Sequence, residues 1–300
     1  MQKFYSHGKL LITAEYAVLD GAKALAVPTK FGQSLQVKPI ESPEIRWKSF
    51  DHKGALWFET TLQFPTFNTT STNAIAKRLS DCFLAISKLN PNGFKSDTGF
   101  EMHSHLEFPQ HWGLGSSSTL INNLAQWAQV DAFELLKNTF GGSGYDIACA
   151  QHPHPILYER KDGAVKIKAV QFDPTFKDNL FFVHRNQKQN SREAIAAYNA
   201  LKTTKKLDFS ELNAITESIL QTSTLKDFEA LISQHENLLS KLIQQPTLKR
   251  THFPDYKGAV KSLGAWGGDF FLATGQSDAM QYFRNKSYGT IVPFREMVKS

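Results

Sequence analysis

The chain has 300 residues, of which 34 are Lys or Arg and 28 are Asp or Glu, giving a formal net charge of +6 at pH 7. This length suffices for one large core or two ordinary ones, and two domains are expected. The basic residues are scattered rather than gathered in a run, so a nucleic-acid-binding arm is not expected, although the positive balance suits anionic ligands.

The only thiols are Cys82 and Cys149. They are too few and too far apart for a disulfide scaffold and cannot form a four-cysteine metal site, which favours a reducing, cytoplasmic setting. The N-terminal residues lack the apolar core of a signal peptide, and no apolar window reaches the roughly 18 residues that cross a bilayer. Neither secretion nor membrane insertion is expected.

The first hundred residues contain three predicted kinds of element. Residues 1–40 are expected to be extended, with a turn at Asp20 and Gly21. Between residues 71 and 89, apolar side chains recur at intervals of three and four, which predicts an amphipathic helix. Residues 100–108 alternate apolar and polar side chains, which predicts a half-buried strand.

The rest of the chain mixes helices and strands. A glycine turn at residues 113–115 begins a second helix, and a third begins at Asp131. After Tyr158 the pattern changes to strand-then-helix alternation, which places a domain boundary near residue 170. Because neither half has a strict βαβ period, the predicted fold class is α+β, with domains at 1–170 and 171–300. Later strands are predicted at 180–184, 259–263, 270–273 and 290–293, and helices at 191–202, 208–221, 224–244 and 277–285.

Residues 113–119 (GLGSSST) combine glycine with hydroxyl groups at a helix start. Glycines allow the backbone to approach a ligand closely, the first-turn amides point outward, and the helix dipole adds partial positive charge. The serine hydroxyls could donate to a phosphate or coordinate a metal, and they could equally be ordinary helix caps. No GxxxxGK[ST] sequence occurs, so this is not a Walker A loop.

Three ordered segments carry a wider resemblance. Residues 8–21 (GKLLITAEYAVLDG), 109–117 (PQHWGLGSS) and 263–269 (LGAWGGD) resemble motifs 1, 2 and 3 of the GHMP kinases, the superfamily of galactokinase, homoserine kinase, mevalonate kinase and phosphomevalonate kinase. The resemblance spans nearly the whole chain. It departs from the pattern at Trp266, which replaces a motif 3 glycine, and at His7, where proline is common.

This resemblance implies an α+β fold with ATP and an acceptor bound between two domains. The first (1–170) is expected to be like the second domain of ribosomal protein S5, and the second (171–300) ferredoxin-like. ATP and Mg²⁺ are the implied cofactors, with Lys9 near the transferred phosphoryl group. Asp146 is implied beside the acceptor hydroxyl, whose proton a carboxylate next to an ammonium can accept. The implied nucleotide-binding residues are Gly113, Leu114, Gly115, Ser116, Ser117 and Ser118, the metal ligands Ser117 and Glu134, and the acceptor-binding residues Glu15, Tyr16, Ser143, Gly144, Arg192, Ala265 and Gly267.

The implied acceptor is a small anionic alcohol. Glu15-Tyr16 and the Gly-Gly-Asp of motif 3 resemble phosphomevalonate kinases, so the expected activity is phosphorylation of phosphomevalonate or mevalonate in isoprenoid precursor synthesis. Alternatives are a sugar or amino-alcohol acceptor, or a nucleotide-binding regulator without transfer activity. Glu134 is equally compatible with a capping box at Asp131. Nucleic-acid and membrane partners are not expected, and the chain is expected to be a monomer or a homodimer.

Histidine pairs and frequent phenylalanine are two further features of the sequence, and neither belongs to the three motifs. His103 with His105, and His152 with His154, have no third ligand nearby in sequence, so surface positions are expected rather than a metal site. Phenylalanine is frequent, at 23 residues. Four loop phenylalanines are expected either to line an acceptor pocket or to cover the core: Phe64, Phe67, Phe172 and Phe176.

Overall fold

The computed structural model describes residues 1–94, 98–161, 163–186, 198–200, 207–264, 266, 269–276 and 278–300. The predicted helix start at 190–193, including Arg192, therefore lies outside the described residues, as do Ala265 and Gly267. Within the described residues, no helix combines the length and apolar character of a membrane span.

The chain forms two compact units. The first unit contains Met1–Gly8, Phe31–Gln110 and Leu114–Gln151, and the second contains Lys9–Lys30, His111–Gly113 and His152–Ser300. The glycine turn therefore begins in the second unit and continues in the first. The domain boundary near residue 170 stays a prediction.

The first unit is built on a mixed sheet. Its strands are β1 (Gln2–Leu11), β2 (Ala24–Ile40), β3 (Glu44–Phe50), β4 (Leu56–Gln63) and β5 (Gly99–Leu106). They adjoin in the order β4-β3-β5-β2, and β1 also pairs with β2. β3 is antiparallel to β4 and parallel to β5, whereas β5 is antiparallel to β2. Along the chain, β1 begins in the first unit and ends in the second, and β2 runs the other way.

The first unit's core lies between this sheet and the helices α1 (Ala74–Leu89), α2 (Ser116–Ala128), α3 (Ala132–Lys137) and α4 (Tyr145–Gln151). α1 begins where the Asn73 side chain accepts a hydrogen bond from the Ile75 N–H, and it buries Leu79, Phe83 and Ile86 at the predicted spacing. α2 packs against α1, α3 and α4. This packing makes α2, which follows the glycine turn, the central helix of the unit.

The second unit contains strands of two sheets. β6 (Ile156–Lys161) pairs with the start of β2 and with β7 (Ala164–Ala169), both antiparallel. A separate antiparallel sheet has the order β11-β8-β10-β9, formed by β8 (Leu180–His184), β9 (Val260–Ser262), β10 (Phe270–Thr274) and β11 (Ile291–Pro293). The unit's other helices are α5 (Ser210–Gln221), α6 (Leu225–Ile243), α7 (Leu248–His252), α8 (Ala279–Asn285) and α9 (Phe294–Met297).

The α+β prediction is confirmed, and one local prediction is wrong. The apolar run at 16–19 is not extended but enters a 3-10 helix at Ala17–Asp20. This turn is possible because Ala14, Tyr16 and Gly21 all adopt positive φ angles. A short apolar run alone cannot distinguish a buried strand from a buried turn.

Candidate functional site

The three motif segments meet at Gly113 in the second unit. Lys9 of motif 1 donates a hydrogen bond from Nζ to the Gly113 carbonyl oxygen at 3.1 Å. Gly113 of motif 2 has φ +65°, and a Cβ built on it would lie 2.1 Å from Oδ2 of Asp269 in motif 3. An ammonium and a carboxylate therefore lie against the backbone that starts the glycine turn, and no larger residue fits there without displacing Asp269.

The segment before Gly113 is held from two sides within the second unit. His184, at the end of β8, donates from Nε2 to the His111 carbonyl oxygen at 3.1 Å. The rings of Trp112 and Phe270 pack edge to face at a centroid distance of 5.4 Å. The Arg185 N–H donates to the Asp269 carbonyl oxygen at 2.7 Å. Motif 3 and the approach to motif 2 are thus fixed to neighbouring ends of β8 and β10.

The first unit contains the other half of the glycine turn, at the N-terminus of α2. Gly115 is the N-cap, with φ 89° in the left-handed region. Its carbonyl oxygen accepts from the Ser118 hydroxyl at 2.9 Å and from the Thr119 N–H at 3.0 Å. Ser117 is exposed to solvent, whereas Ser118 is buried. Helix starts leave their first amides without intrahelical acceptors, which suits an anion.

These donors fit a nucleotide with its magnesium ion. Positive φ at Gly113 and Gly115 lets the backbone curve tightly, and the α2 amides attract phosphate oxygens. Ser117 presents a hard hydroxyl oxygen of the type that Mg²⁺ takes together with water and phosphate ligands. Within the described residues, no group of three His, Cys, Asp or Glu side chains could hold a metal by itself.

A buried polar network holds α2 on the sheet of the first unit. Thr119 donates to Gln33 Oε1 at 2.6 Å, and Gln33 Nε2 donates to Ser104 Oγ at 2.6 Å. Asn123 accepts from the Ser6 hydroxyl at 2.8 Å and donates to the Gln33 carbonyl oxygen at 2.9 Å. The sequence analysis missed this network. Its available signal was a helix face carrying Thr and Asn where apolar residues are the rule.

Asp146 also lies in the first unit, in the first turn of α4. It is half-buried, and it follows Ser143, which is buried, and Gly144, which has φ 87°. The Gly144 carbonyl oxygen accepts from the Ala148 N–H at 3.0 Å, which starts the helix. Because α4 packs against α2, the structure places Asp146 and Ser117 on neighbouring helices of one unit. Their catalytic and metal-binding roles stay predictions.

Glu134 has the contacts of a helix start. Its N–H donates to the Asp131 carboxylate at 2.9 Å, and its own carboxylate lies 3.5 Å from the Lys137 ammonium. The side chain is half exposed. Asp131 therefore caps α3, whereas the Glu134 side chain lies beside Lys137. The role of Glu134 as a metal ligand stays a prediction.

Glu15 and Tyr16 of motif 1, which were expected to bind the acceptor, lie in the second unit and are buried. Glu15 has no exposed surface, and its carboxylate lies 2.5 Å from the Lys261 ammonium. Burial raises the pKa of Glu15 to about 7, against the opposing pull of Lys261. Tyr16 is nearly buried, with its ring 5.6 Å from that of Tyr198. The structure therefore gives Glu15 an internal partner that sequence analysis missed.

Trp266 is the described residue at the centre of motif 3. It is 5% exposed and has φ +44°, a conformation that glycine adopts without strain. The glycine expected from the resemblance is thus replaced by a large buried side chain in a left-handed backbone conformation. Ala265 and Gly267, on either side, lie outside the described residues.

Solved structures share this fold. The chain is similar to a Lin0012 protein from Listeria innocua, with 18% identity, TM-score 0.72 and coverage of 97% of this chain and 96% of that one. It is similar to Lactococcus lactis galactokinase complexed with galactose, with 14% identity, TM-score 0.72 and coverage of 100% and 94%. It is similar to Streptococcus pneumoniae phosphomevalonate kinase in complex with phosphomevalonate and AMPPNP, with 17% identity, TM-score 0.67 and coverage of 95% and 96%.

Mevalonate kinases show the same likeness, among them that of Methanococcus jannaschii, with 17% identity and TM-score 0.66 over 97% of this chain and 96% of that one. No protein-family model matches the sequence, and no curated protein matches it significantly. The chain has the GHMP kinase fold, as the motifs predicted. Acceptors in these structures include a sugar and a phosphorylated alcohol, so the fold alone leaves the acceptor open.

Proposed function

We propose that this protein is an ATP- and Mg²⁺-dependent kinase that transfers the γ-phosphoryl group to the hydroxyl of a small anionic alcohol, phosphomevalonate or mevalonate. The observation that carries the proposal is the convergence of Lys9, Gly113 and Asp269, one from each motif, at the glycine turn. The fold likeness to kinases supports the phosphotransfer chemistry.

Each step of the reaction has its own group, supplied by the ligands or by the chain. Bound ATP supplies the phosphoryl group, and Mg²⁺ neutralises charge on its phosphates. In the first unit, the first-turn amides of α2 bind and orient phosphate oxygens. In the second unit, Lys9 supplies an ammonium, a group that forms strong charge-assisted hydrogen bonds with phosphate. The oxygen of the acceptor hydroxyl forms a bond to the γ-phosphorus, and Asp146 accepts the proton of that hydroxyl. The bond between the γ-phosphorus and the oxygen that bridges to the β-phosphate breaks, and ADP is released.

The acceptor assignment is supported by sequence rather than by geometry. Glu15-Tyr16 and the end of motif 3 resemble the phosphomevalonate form, and the phosphomevalonate and mevalonate kinases are among the similar structures. A sugar acceptor is the second candidate, because the galactokinase has a TM-score of 0.72 with this chain. A regulator that binds nucleotide without transfer is the third, and the presence of Lys9 and Asp146 counts against it.

An ADP-release assay over a panel of alcohols tests this function. Turnover is expected with phosphomevalonate or mevalonate and not with galactose. Lys9→Ala and Asp146→Asn should each lower kcat by about 10²-fold or more. Lys88→Ala, an exposed lysine in the last turn of α1, is the matched control and should leave kcat unchanged.

Two results would contradict the proposal in different ways. Turnover of galactose alone would replace the acceptor and keep the kinase. Tight ATP binding without ADP release for any alcohol would favour the regulator.

A further inference from the structure

A cluster of ionisable side chains lies inside the second unit, away from solvent. Glu15, His235 and Lys261 have no exposed surface, and Glu236 is 2% exposed. The Lys261 ammonium lies 2.5 Å from Glu15 Oε1 and 3.7 Å from Glu236 Oε2. The four residues come from the segment after β1, from α6 and from β9, so the cluster joins three distant parts of the sequence.

Lys261 and Glu236 also form hydrogen bonds with Ser262. Lys261 also donates to the Ser262 carbonyl oxygen at 2.9 Å. Glu236 accepts from the Ser262 N–H at 3.1 Å and from its hydroxyl at 2.8 Å. A buried ion pair of this kind contributes little net stability, because apolar residues of similar volume are often at least as stable. Its presence therefore calls for a role other than stability.

The backbone next to the cluster, at Ala14, Glu15 and Tyr16, has an unusual conformation. Ala14 has φ 64° and Tyr16 has φ 61° with ψ −49°, so Glu15 is flanked by two non-glycine residues in an unfavourable conformation. Residues that carry a Cβ rarely adopt this conformation, and it persists only where the surroundings enforce it. We call Ala14, Glu15 and Tyr16 the 14–16 turn.

The 14–16 turn is anchored at its start. The Ala14 N–H donates to His235 Nε2 at 2.9 Å, which fixes the neutral ring with its proton on Nδ1. His235 Nδ1 then faces Glu15 Oε2 at 4.0 Å. Just before the turn, the Thr13 hydroxyl oxygen accepts from Leu25 N–H at 2.9 Å and from the Thr216 hydroxyl at 3.0 Å.

We propose that Lys261, Glu236 and His235 are positioning residues that hold the 14–16 turn in its strained conformation and so set the place of Tyr16 at the acceptor. The inference rests on the proposed function for the acceptor role of Tyr16. Glu15 acts in it as the internal anchor of the turn, through its buried contact with Lys261, and Tyr16 keeps the acceptor-binding role expected from the sequence.

The turn's conformation can be measured without catalysis, by hydrogen exchange of residues 12–17. His235→Leu removes the acceptor of the Ala14 N–H, and His235→Gln keeps an oxygen acceptor on a side chain of similar reach. We expect exchange of this segment to rise about tenfold or more in His235→Leu and to return toward wild type in His235→Gln. Lys261→Met should raise it as well. Lys249→Met removes a lysine contact to the Gly258 carbonyl oxygen elsewhere in the unit, and it should leave this segment unchanged.

Steady-state kinetics then separate positioning from mere support. In Lys261→Met and His235→Leu, the KM for the acceptor should rise by about tenfold while the KM for ATP stays within about twofold. Unchanged exchange at 12–17 would overturn the anchor, and raised exchange with an unchanged acceptor KM would overturn the positioning role. If the wild type turns over no alcohol, the proposed function fails, and the exchange data still decide whether the cluster anchors the turn.

If Lys261→Met does not fold, hydrogen exchange of residues 12–17 is compared with the wild type in His235→Leu and Glu236→Gln instead. Glu236→Gln retains an oxygen that can accept from Ser262 while removing a negative charge beside Lys261. Raised exchange at 12–17 in these variants supports the anchor, and wild-type exchange in both overturns it.

Discussion

Gly113 is the residue that side chains from the other two motifs contact. Its carbonyl oxygen accepts from Lys9, and its Cα faces the Asp269 carboxylate. A glycine is needed for two separate reasons, a left-handed φ and the absence of room for a Cβ. Substitution at this position therefore changes both the strain of the turn and the position of a charged neighbour.

We expect Gly113→Ala to destabilise the protein by about 1–3 kcal/mol and to weaken ATP binding, because its Cβ displaces Asp269. Gly54→Ala is the matched control, since Gly54 has φ +79° and no atom within 4 Å of a built Cβ. The control should lose about 1 kcal/mol from backbone strain alone and keep wild-type ATP affinity. Urea denaturation and titration calorimetry measure the two effects, and equal ATP affinity in both variants would contradict the role of Gly113.

Residue identity predicted some of the site and not its internal partners. The glycine turn and the helix start at 113–118 could be predicted from sequence because turn and helix-start chemistry is local. Lys261 could not, because lysine is almost never fully buried and its partner Glu15 is 246 positions away. Glu15 was expected to contact the acceptor, and only the tertiary structure shows that Lys261 contacts its carboxylate.

At the scale of elements, α2 is the helix on which the site depends. The Thr119 hydroxyl donates to Gln33 Oε1 and also lies 3.1 Å from the carbonyl oxygen of Gly115, the N-cap. The same residue thus connects the helix start to β2. Buried neutral hydrogen bonds of this kind fix the position of a helix along a sheet more specifically than apolar packing does.

Thr119→Val keeps the side-chain shape and removes the hydroxyl, which leaves Gln33 Oε1 without its donor in the interior. We expect a loss of about 1–3 kcal/mol in unfolding free energy and a weaker affinity for ATP, since the N-terminus of α2 loses its register. Thr60→Val, on the edge strand β4, loses a half-buried hydroxyl contact to Thr69 and should change stability by less than about 0.5 kcal/mol.

Denaturation and calorimetry on both variants check this expectation. Wild-type ATP affinity in a destabilised Thr119→Val would show that the network supports the fold without setting the helix start.

The sequence predicted several helices and also strands such as β8, whose bounds match, and it missed other strands for a physical reason. α1, α5 and α6 lie within a few residues of their predicted ranges because helical periodicity is contained in one segment. β3 and β4 were not predicted, although β3 alternates buried Ile45 and Trp47 with exposed neighbours. Its place depends on pairing with β5, about fifty residues later, and a local pattern does not specify such a partner.

At the scale of the whole molecule, the high phenylalanine content belongs to the cores. Phe67 is 1% exposed and stacks on Phe83 in the first unit. Phe172 and Phe176 are also buried and both pack on Phe228 in the second unit. Of the two alternatives for the loop phenylalanines, core coverage is the one these residues follow. Large rings fill volume that short connecting segments would otherwise leave open.

Each unit has an aromatic cluster of its own, so a core deletion should act locally. Phe283 has no exposed surface and contacts the rings of Phe253, Tyr256 and Phe271 at centroid distances of 5.2, 4.7 and 5.4 Å. Phe283→Ala should lower the unfolding free energy by about 3–5 kcal/mol. Hydrogen exchange should accelerate in β8, β10 and α8 more than in α1 and β5, because these elements belong to different clusters.

Trp57→Ala is the control for this deletion, because Trp57 is a large aromatic side chain that is 38% exposed on β4. We expect Trp57→Ala to lower the unfolding free energy by less than about 1 kcal/mol. The side chain buries less of its surface than Phe283 does, and its removal leaves no closed cavity. If Phe283→Ala instead accelerates exchange equally in α1 and β8, the two clusters unfold as one cooperative system. That outcome would mean that the aromatic content stabilises the chain as a whole rather than each unit separately.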